Sequence, residues 1–550
     1  MSRTVEPERV AAGARAAAEE TDHAPGLERL FSFVPEERSY EVREVRGKLP
    51  AWLRGTCYWN GPARFQRGEL RYNHWLDGDG MVTALRFDGD GRVHLANRFV
   101  RSAKWTAEEA AGRALFRTFG TTFAGDRLLK GIALESPVNV SVVPFSGRLF
   151  ALGEQGQPWE LDPVTLATRG PSTFDGALNP VTPFAAHAKV DPASGELWNF
   201  GLSYARERPC LHLYRFSAAG ALLARRRVRL ERPVSMHDFC LAPRHAVFHV
   251  GPYHLDLASL VTSRSSLLEA LRWEPEHGSE LLIVPRDRRG AAAPDPENPE
   301  NPETPETPET PEITATGEDA ESGVVRVPVG RGYCLHGIGA GEDELGRLVV
   351  DLLELERPVY DQYQTLPDLF TTVGPGRPVR LIVDLARRRV VERQVLDYDL
   401  APDFPVAVPR WGARALDDVW MLGISAAGRR GRKFFDQLVH CHWRRAAGQD
   451  WAAPAIWEAP AGQYLAGEPA LAPDPARWHD AGAAAAPGVS TQPTPPIGGA
   501  LVCPLFDAVR GESRYLIFDA LDVGSGPCAE VCLAAPLPAA FHAAFAPAPA

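Results

Sequence analysis

Short runs of Val, Leu, Phe and Trp alternate with polar residues along the chain and break at Gly, Asp, Ser or Pro every few positions. The stretches "TALRFDGDGRVHLANRFV" (83–100), "VSVVPFSGRLFALGEQGQPWELDPVTL" (140–166), "AKVDPASGELWNFGL" (188–202) and "LHLYRFSAAGALLARRRVRL" (211–230) share one pattern. Each reads as strand, turn, strand, the period-2 alternation and turn chemistry of an antiparallel hairpin. The 49 Gly and 49 Pro, against four Met, add turn formers and argue against long helices. The expected class is therefore all-β. Hairpins repeated over most of 550 residues point to a β-propeller, whose radial blades leave few exposed edges; a set of sandwich domains is the competing arrangement.

One stretch breaks the pattern. Residues 291–322, centred on "PENPENPETPETPETPE", are too polar and too rich in proline to pack, and strand-like sequence resumes at "GVVRVPVG". They are expected to form a disordered insertion between two strands of one domain spanning 26–550, with a partner-binding tail as the alternative. Residues 1–25 are expected to be a flexible N-terminus, and 473–497 irregular. The insertion also accounts for most of the net charge of -11: residues 290–325 hold ten acidic side chains and no Lys or Arg, so about -1 remains for everything else. A body so near neutrality offers no basic stripe for nucleic acid. The eight cysteines form no CxxC pair, which fits a reducing compartment. With no signal-like opening and no run of about 20 apolar residues, the chain is expected to be cytoplasmic.

Four of the fifteen histidines stand apart. His23, His94, His212 and His277 lie in polar or alternating contexts that suit an exposed imidazole, whereas His187 ("PFAAHAKVD"), His237 ("VSMHDFC"), His336 ("GYCLHGIGAGED") and His542 ("AAFHAAFAP") sit among small or apolar residues. Burying such a group is costly unless it is paired or binds a metal. The four are 50, 99 and 206 residues apart, a spacing that suits one ligand from each of several blades. Neutral imidazoles bind iron, copper, zinc or nickel, so the residue type alone does not select the metal.

These motifs carry a resemblance to the carotenoid cleavage oxygenases, the family of carotenoid-, apocarotenoid- and stilbene-cleaving dioxygenases and the retinoid isomerase. "LPAWLRGTCYWNGPARF" resembles the family's opening signature, "HWLDGDGMV" (74–82) and "NRFVRS" (97–102) follow in order, and the four histidines fall on its four iron-ligand motifs. In "HGIGAGED", Gly339 and Gly341 replace the usual Asn and aromatic residue. The resemblance implies a seven-bladed β-propeller with a helical and loop cap over axial Fe(II), held by His187, His237, His336 and His542. It also implies carboxylates behind the ligands at Glu154, Asp403 and Glu468. The family's usual residue at the middle position is Glu, so the bond from Asp403 is expected to be the least secure of the three. Asp238, next to His237, is expected to point to the opposite face of a strand and to order local backbone rather than bind metal.

The implied reaction is O2-dependent cleavage of one C=C bond of a carotenoid or apocarotenoid to two carbonyl products. Stilbene-cleaving relatives carry Lys directly before the first of these carboxylates, and Gly153 stands there. A stilbene-type dioxygenase, an isomerase using the same iron and a metal-free binding propeller are the alternatives. "RALFRTFGTTFAG" (113–125) places Leu115, Phe116, Phe119 and Phe123 on one short segment with Arg113 and Arg117, either as a peripheral membrane patch at a tunnel mouth or as a buried helix.

Overall fold

The computed structural model describes residues 22–129, 133–204, 209–262, 265–286, 323–362, 365–408, 417–443, 451–478 and 498–548. The insertion expected at 291–322 lies outside them, as do residues 1–21 and most of the irregular stretch expected at 473–497.

Among the described residues, seven sheets of four to six antiparallel strands stand as seven blades. In chain order their innermost strands are 543–547 (blade 1), 141–145 (blade 2), 189–190 (blade 3), 240–241 (blade 4), 337–342 (blade 5), 403–407 (blade 6) and 470–473 (blade 7). Six of these innermost strands line one cavity of about 720 Å³, which marks the propeller axis.

Each pair of adjacent blades shares one apolar cluster. Along 279–285 of blade 4, Leu282 and Val284 pack toward blade 3 with Trp198 and Phe248, while Leu281 and Ile283 pack toward blade 5 with Val350 and Leu381. A strand buried on both faces needs no polar side, so this segment reads as a continuous apolar run rather than an alternation.

The ring closes twice. Strand 543–547 pairs with 54–62 in blade 1, from Gly55 opposite Pro547 to Trp59 opposite Ala543. Strand 44–47 near the start of the chain completes the outer edge of blade 7 against 529–532. Such interlocking replaces the open edge a linear array of blades would leave.

A cap of short helices and loops covers one end of the axis. The longest helix among the described residues, Ala103–Ala111, starts at Ser102, whose side chain accepts the Trp105 N–H, and stops at Gly112 in the left-handed conformation. The segment after it is irregular, which removes the buried-helix alternative for 113–125. Leu115 is buried, Phe119 packs on the rings of His74 and Tyr360, and Arg117 is buried in an ion pair with Asp126 at 3.1 Å. Arg117 is therefore not a surface cation flanking a membrane patch. No helix among the described residues is long and apolar enough to cross a membrane.

Candidate metal centre

Each of the four singled-out histidines comes just before the innermost strand of its blade: His187 in blade 3, His237 in blade 4, His336 in blade 5 and His542 in blade 1. The chain returns there from the rim of one blade to the axis of the next, so four separate returns deliver four imidazoles to one point. All four are buried, and one nitrogen from each lies within 4.8 Å of the others. His187 Nε2 and His237 Nε2 are 2.8 Å apart. Two ligands at right angles on a metal with bonds of about 2.1 Å would be roughly 3 Å apart, close to that separation.

The remaining three blades supply carboxylates. His237 Nδ1 meets Glu154 Oε1 at 2.9 Å, just past the second strand of blade 2. His336 Nδ1 meets Asp403 Oδ1 at 2.5 Å, at the start of the innermost strand of blade 6. His542 Nδ1 lies 3.4 Å from Glu468 Oε1 in blade 7, whose Oε2 accepts the Ala543 N–H at 2.6 Å. Carboxylates so placed fix the tautomer and turn each Nε2 toward the centre.

The order of these contacts reverses the sequence-based expectation, since Asp403 makes the shortest and Glu468 the longest. Backbone compensates for the missing methylene. The strand bulges between Asp403 and Val406, Ala401 and Phe404 have φ of 50° and 51°, and the Phe404 N–H donates to Asp403 Oδ1 at 2.8 Å. Such left-handed non-glycine residues are uncommon and cluster where surrounding structure enforces them.

Burial and the neighbouring imidazoles hold His187 well below its ordinary pKa, and burial lowers His542 as well. Burial also acts to lower His336, but the Asp403 carboxylate outweighs it and holds that imidazole above its usual value. His336 Nε2 is buried and accepts or donates no hydrogen bond. An orphaned nitrogen of this kind, aimed at three other imidazoles, fits a divalent transition metal. A second cluster, Glu274, Glu276 and His277, is mostly exposed, and Arg232 NH1 already sits 2.6 Å from His277 Nε2.

Two cavities approach the centre from opposite ends. On the cap side an apolar cavity of about 510 Å³ is lined by residues including Leu76, Phe119, Val140, Phe184 and Tyr360. Leu76, Val140 and Tyr360 also wall a chamber of about 30 Å³ that touches His237, His336 and His542. On the other side lies the axial cavity of about 720 Å³, reaching His187, His336 and His542.

All seven residues singled out in sequence thus converge. Asp238 orders local backbone as expected, accepting the Phe239 and Gly337 N–H groups, but it does so from an irregular segment between residues 235 and 239, where strand alternation does not set its direction, and its Oδ1 is 3.6 Å from His187 Nδ1. Lys189, two residues after His187 in "HAKVD", joins it and was not singled out. His212 also departs from the exposed reading, being buried beside Tyr214 and the Arg225 guanidinium.

A family model described as "Retinal pigment epithelial membrane protein" matches residues 31–307 and 314–547. The apocarotenoid-15,15'-oxygenase of Synechocystis is 28% identical over 419 residues, covering 72% of this chain and 75% of that protein. The lignostilbene-alpha,beta-dioxygenase isozyme III of Sphingomonas paucimobilis is 33% identical over 211 residues, 38% of this chain and 42% of that protein. Among solved structures, a variant of the Synechocystis apocarotenoid oxygenase superposes with a TM-score of 0.76 at 25% identity, covering 96% of this chain and all of that one.

Proposed function

The chain belongs to the retinal pigment epithelial membrane protein family, and from that membership we propose that it is a non-haem Fe(II) dioxygenase cleaving one C=C bond of a carotenoid or apocarotenoid. The reaction consumes O2 and gives two carbonyl products. The observation that carries this reading is a cluster of four buried imidazoles, three of which touch a small chamber that shares the walls Leu76, Val140 and Tyr360 with an apolar cavity.

His187, His237, His336 and His542 would hold the iron through the nitrogens that converge, with Glu154, Asp403 and Glu468 fixing three of the rings. Bound there, Fe(II) supplies the electrons that activate O2 toward a double bond. The protein supplies position and dryness. A cavity of about 510 Å³ is of a size that encloses a small-molecule ligand. Its aromatic and aliphatic walls hold an extended polyene by apolar contact, and the narrowing at Leu76, Val140 and Tyr360 selects the stretch of chain that reaches the histidines.

Gly153 supports a polyene over a stilbene. A side chain built at this position would run into Ser136 Oγ, so the space that a phenol-binding Lys would need is filled. The proposal extends to a single domain over residues 26–550 and to a cytoplasmic enzyme in peripheral contact with membranes, where such substrates dissolve. Support for that contact comes from Leu129 and Val181, which line the cavity and are 38% and 47% exposed.

Purified protein, assayed for iron and incubated with a panel of carotenoids, apocarotenals and stilbenes under O2, tests the reading. The expected result is iron near one per chain and two carbonyl products whose masses sum to substrate plus O2. Product of unchanged mass would replace cleavage with isomerisation, cleavage of stilbenes alone would move the substrate class, and absence of iron would remove the mechanism.

A further inference from the structure

Three of the histidines each take a carboxylate from a blade that carries no histidine of its own: Glu154 from blade 2, Asp403 from blade 6 and Glu468 from blade 7. Among the described residues His187 donates no hydrogen bond to a carboxylate of this kind. Behind its Nδ1 stands Asp238, on the return that delivers His237.

Asp238 is a junction. Its side chain is 4% exposed, and its Oδ1 accepts the Phe239 N–H at 2.7 Å while lying 2.8 Å from Lys189 Nζ and 3.6 Å from His187 Nδ1. Its Oδ2 accepts the Gly337 N–H at 3.1 Å, one residue after His336. One carboxylate therefore ties together the backbones that carry His237 and His336 and faces the ring of His187.

We propose that Asp238 and Lys189 form a fourth positioning unit, in which the ammonium draws the shared oxygen away from His187 and leaves that imidazole the least polarised of the four ligands. A carboxylate accepting an imidazole N–H makes the opposite nitrogen a stronger donor. At 3.6 Å the Asp238 contact is too long for a hydrogen bond, and Lys189 occupies the oxygen that would make it. His187 thus faces a carboxylate already paired with an ammonium, whereas the carboxylates behind the other three rings make no Lys or Arg ion pair among the described residues. The inference rests on the iron reading above.

The test is the Fe(III)/Fe(II) midpoint potential and the iron affinity of the full-length iron-loaded protein. Lys189→Met frees the carboxylate to close on His187 and removes a positive charge, so the potential should fall while iron is retained. Lys189→Arg should restore the parent value. Asp238→Asn should raise the potential and weaken iron binding by about 10-fold, the lower end of what such outer contacts contribute. Shifts in opposite directions support the unit, because general damage to the site would move both variants the same way. Equal, same-sign or absent shifts with iron bound would overturn this inference alone. A parent chain that binds no iron would overturn it together with the reading beneath it. Should Asp238→Asn fail to fold, Lys189→Met decides: an unchanged potential sinks the proposal.

Discussion

At the scale of single residues, the site is a set of imidazoles whose neighbours decide their strength. Replacing His187, His237, His336 or His542 singly by Ala should abolish turnover and sharply lower iron content measured on purified protein, since three remaining nitrogens hold a weaker site. His245 and His249 lie on strand 245–250, away from the cluster, and their substitution should leave iron bound. Asp403→Asn should cost 10- to 100-fold in activity or metal affinity. Asp403→Glu should also impair the site, because the 2.5 Å contact and the bulged backbone leave no room for another methylene; iron titration of both variants checks this. Residue types and their order made the four histidines and three carboxylates legible in sequence. What they could not convey was distance. The relative strength of the Asp403 bond depends on φ at Phe404, and the direction of Asp238 depends on a segment that is not a strand after all.

Among the elements, hairpins were the most readable, because alternation and Gly or Asp turns are local, and all four quoted stretches form paired strands of blades 1 to 3. Long-range contacts were not readable. Gly61 is an example: an added Cβ would meet the backbone of Ala539 and Ala540, which leads into His542. The same stretch is held by Phe541 N–H donating to Asn60 O at 2.8 Å and Asn60 N–H to His542 O at 3.1 Å. Gly61→Ala should therefore reduce iron occupancy more than it reduces overall folding, as seen by metal analysis beside circular dichroism. The insertion makes the opposite prediction. Strands 279–285 and 325–330 pair directly, with Ile283 opposite Val325, so they need only a turn between them. Removing residues 292–320 should leave melting temperature and turnover nearly unchanged, since shortening such a connection changes closure entropy by only about 1 kcal/mol.

On the scale of the whole molecule, stability and chemistry are separable. Each interface between blades has its own apolar cluster, so the propeller does not depend on the metal for its core. Chelating the iron should lower the melting temperature by only a few degrees and leave the far-ultraviolet spectrum intact, because a ligand at 100 times its Kd contributes about 2.7 kcal/mol. Collapse of the spectrum would make the metal part of the fold. The order of the ligands along the chain also has a bearing on biosynthesis. His542 follows His336 by 206 residues and is seated only when 543–547 meets strand 54–62. At translation speeds of about 5–20 residues per second, that leaves roughly 10–40 s in which a ribosome-bound chain displays three of its histidines without the fourth. Until the fourth histidine is made and seated, a nascent chain therefore has no complete metal site to fill.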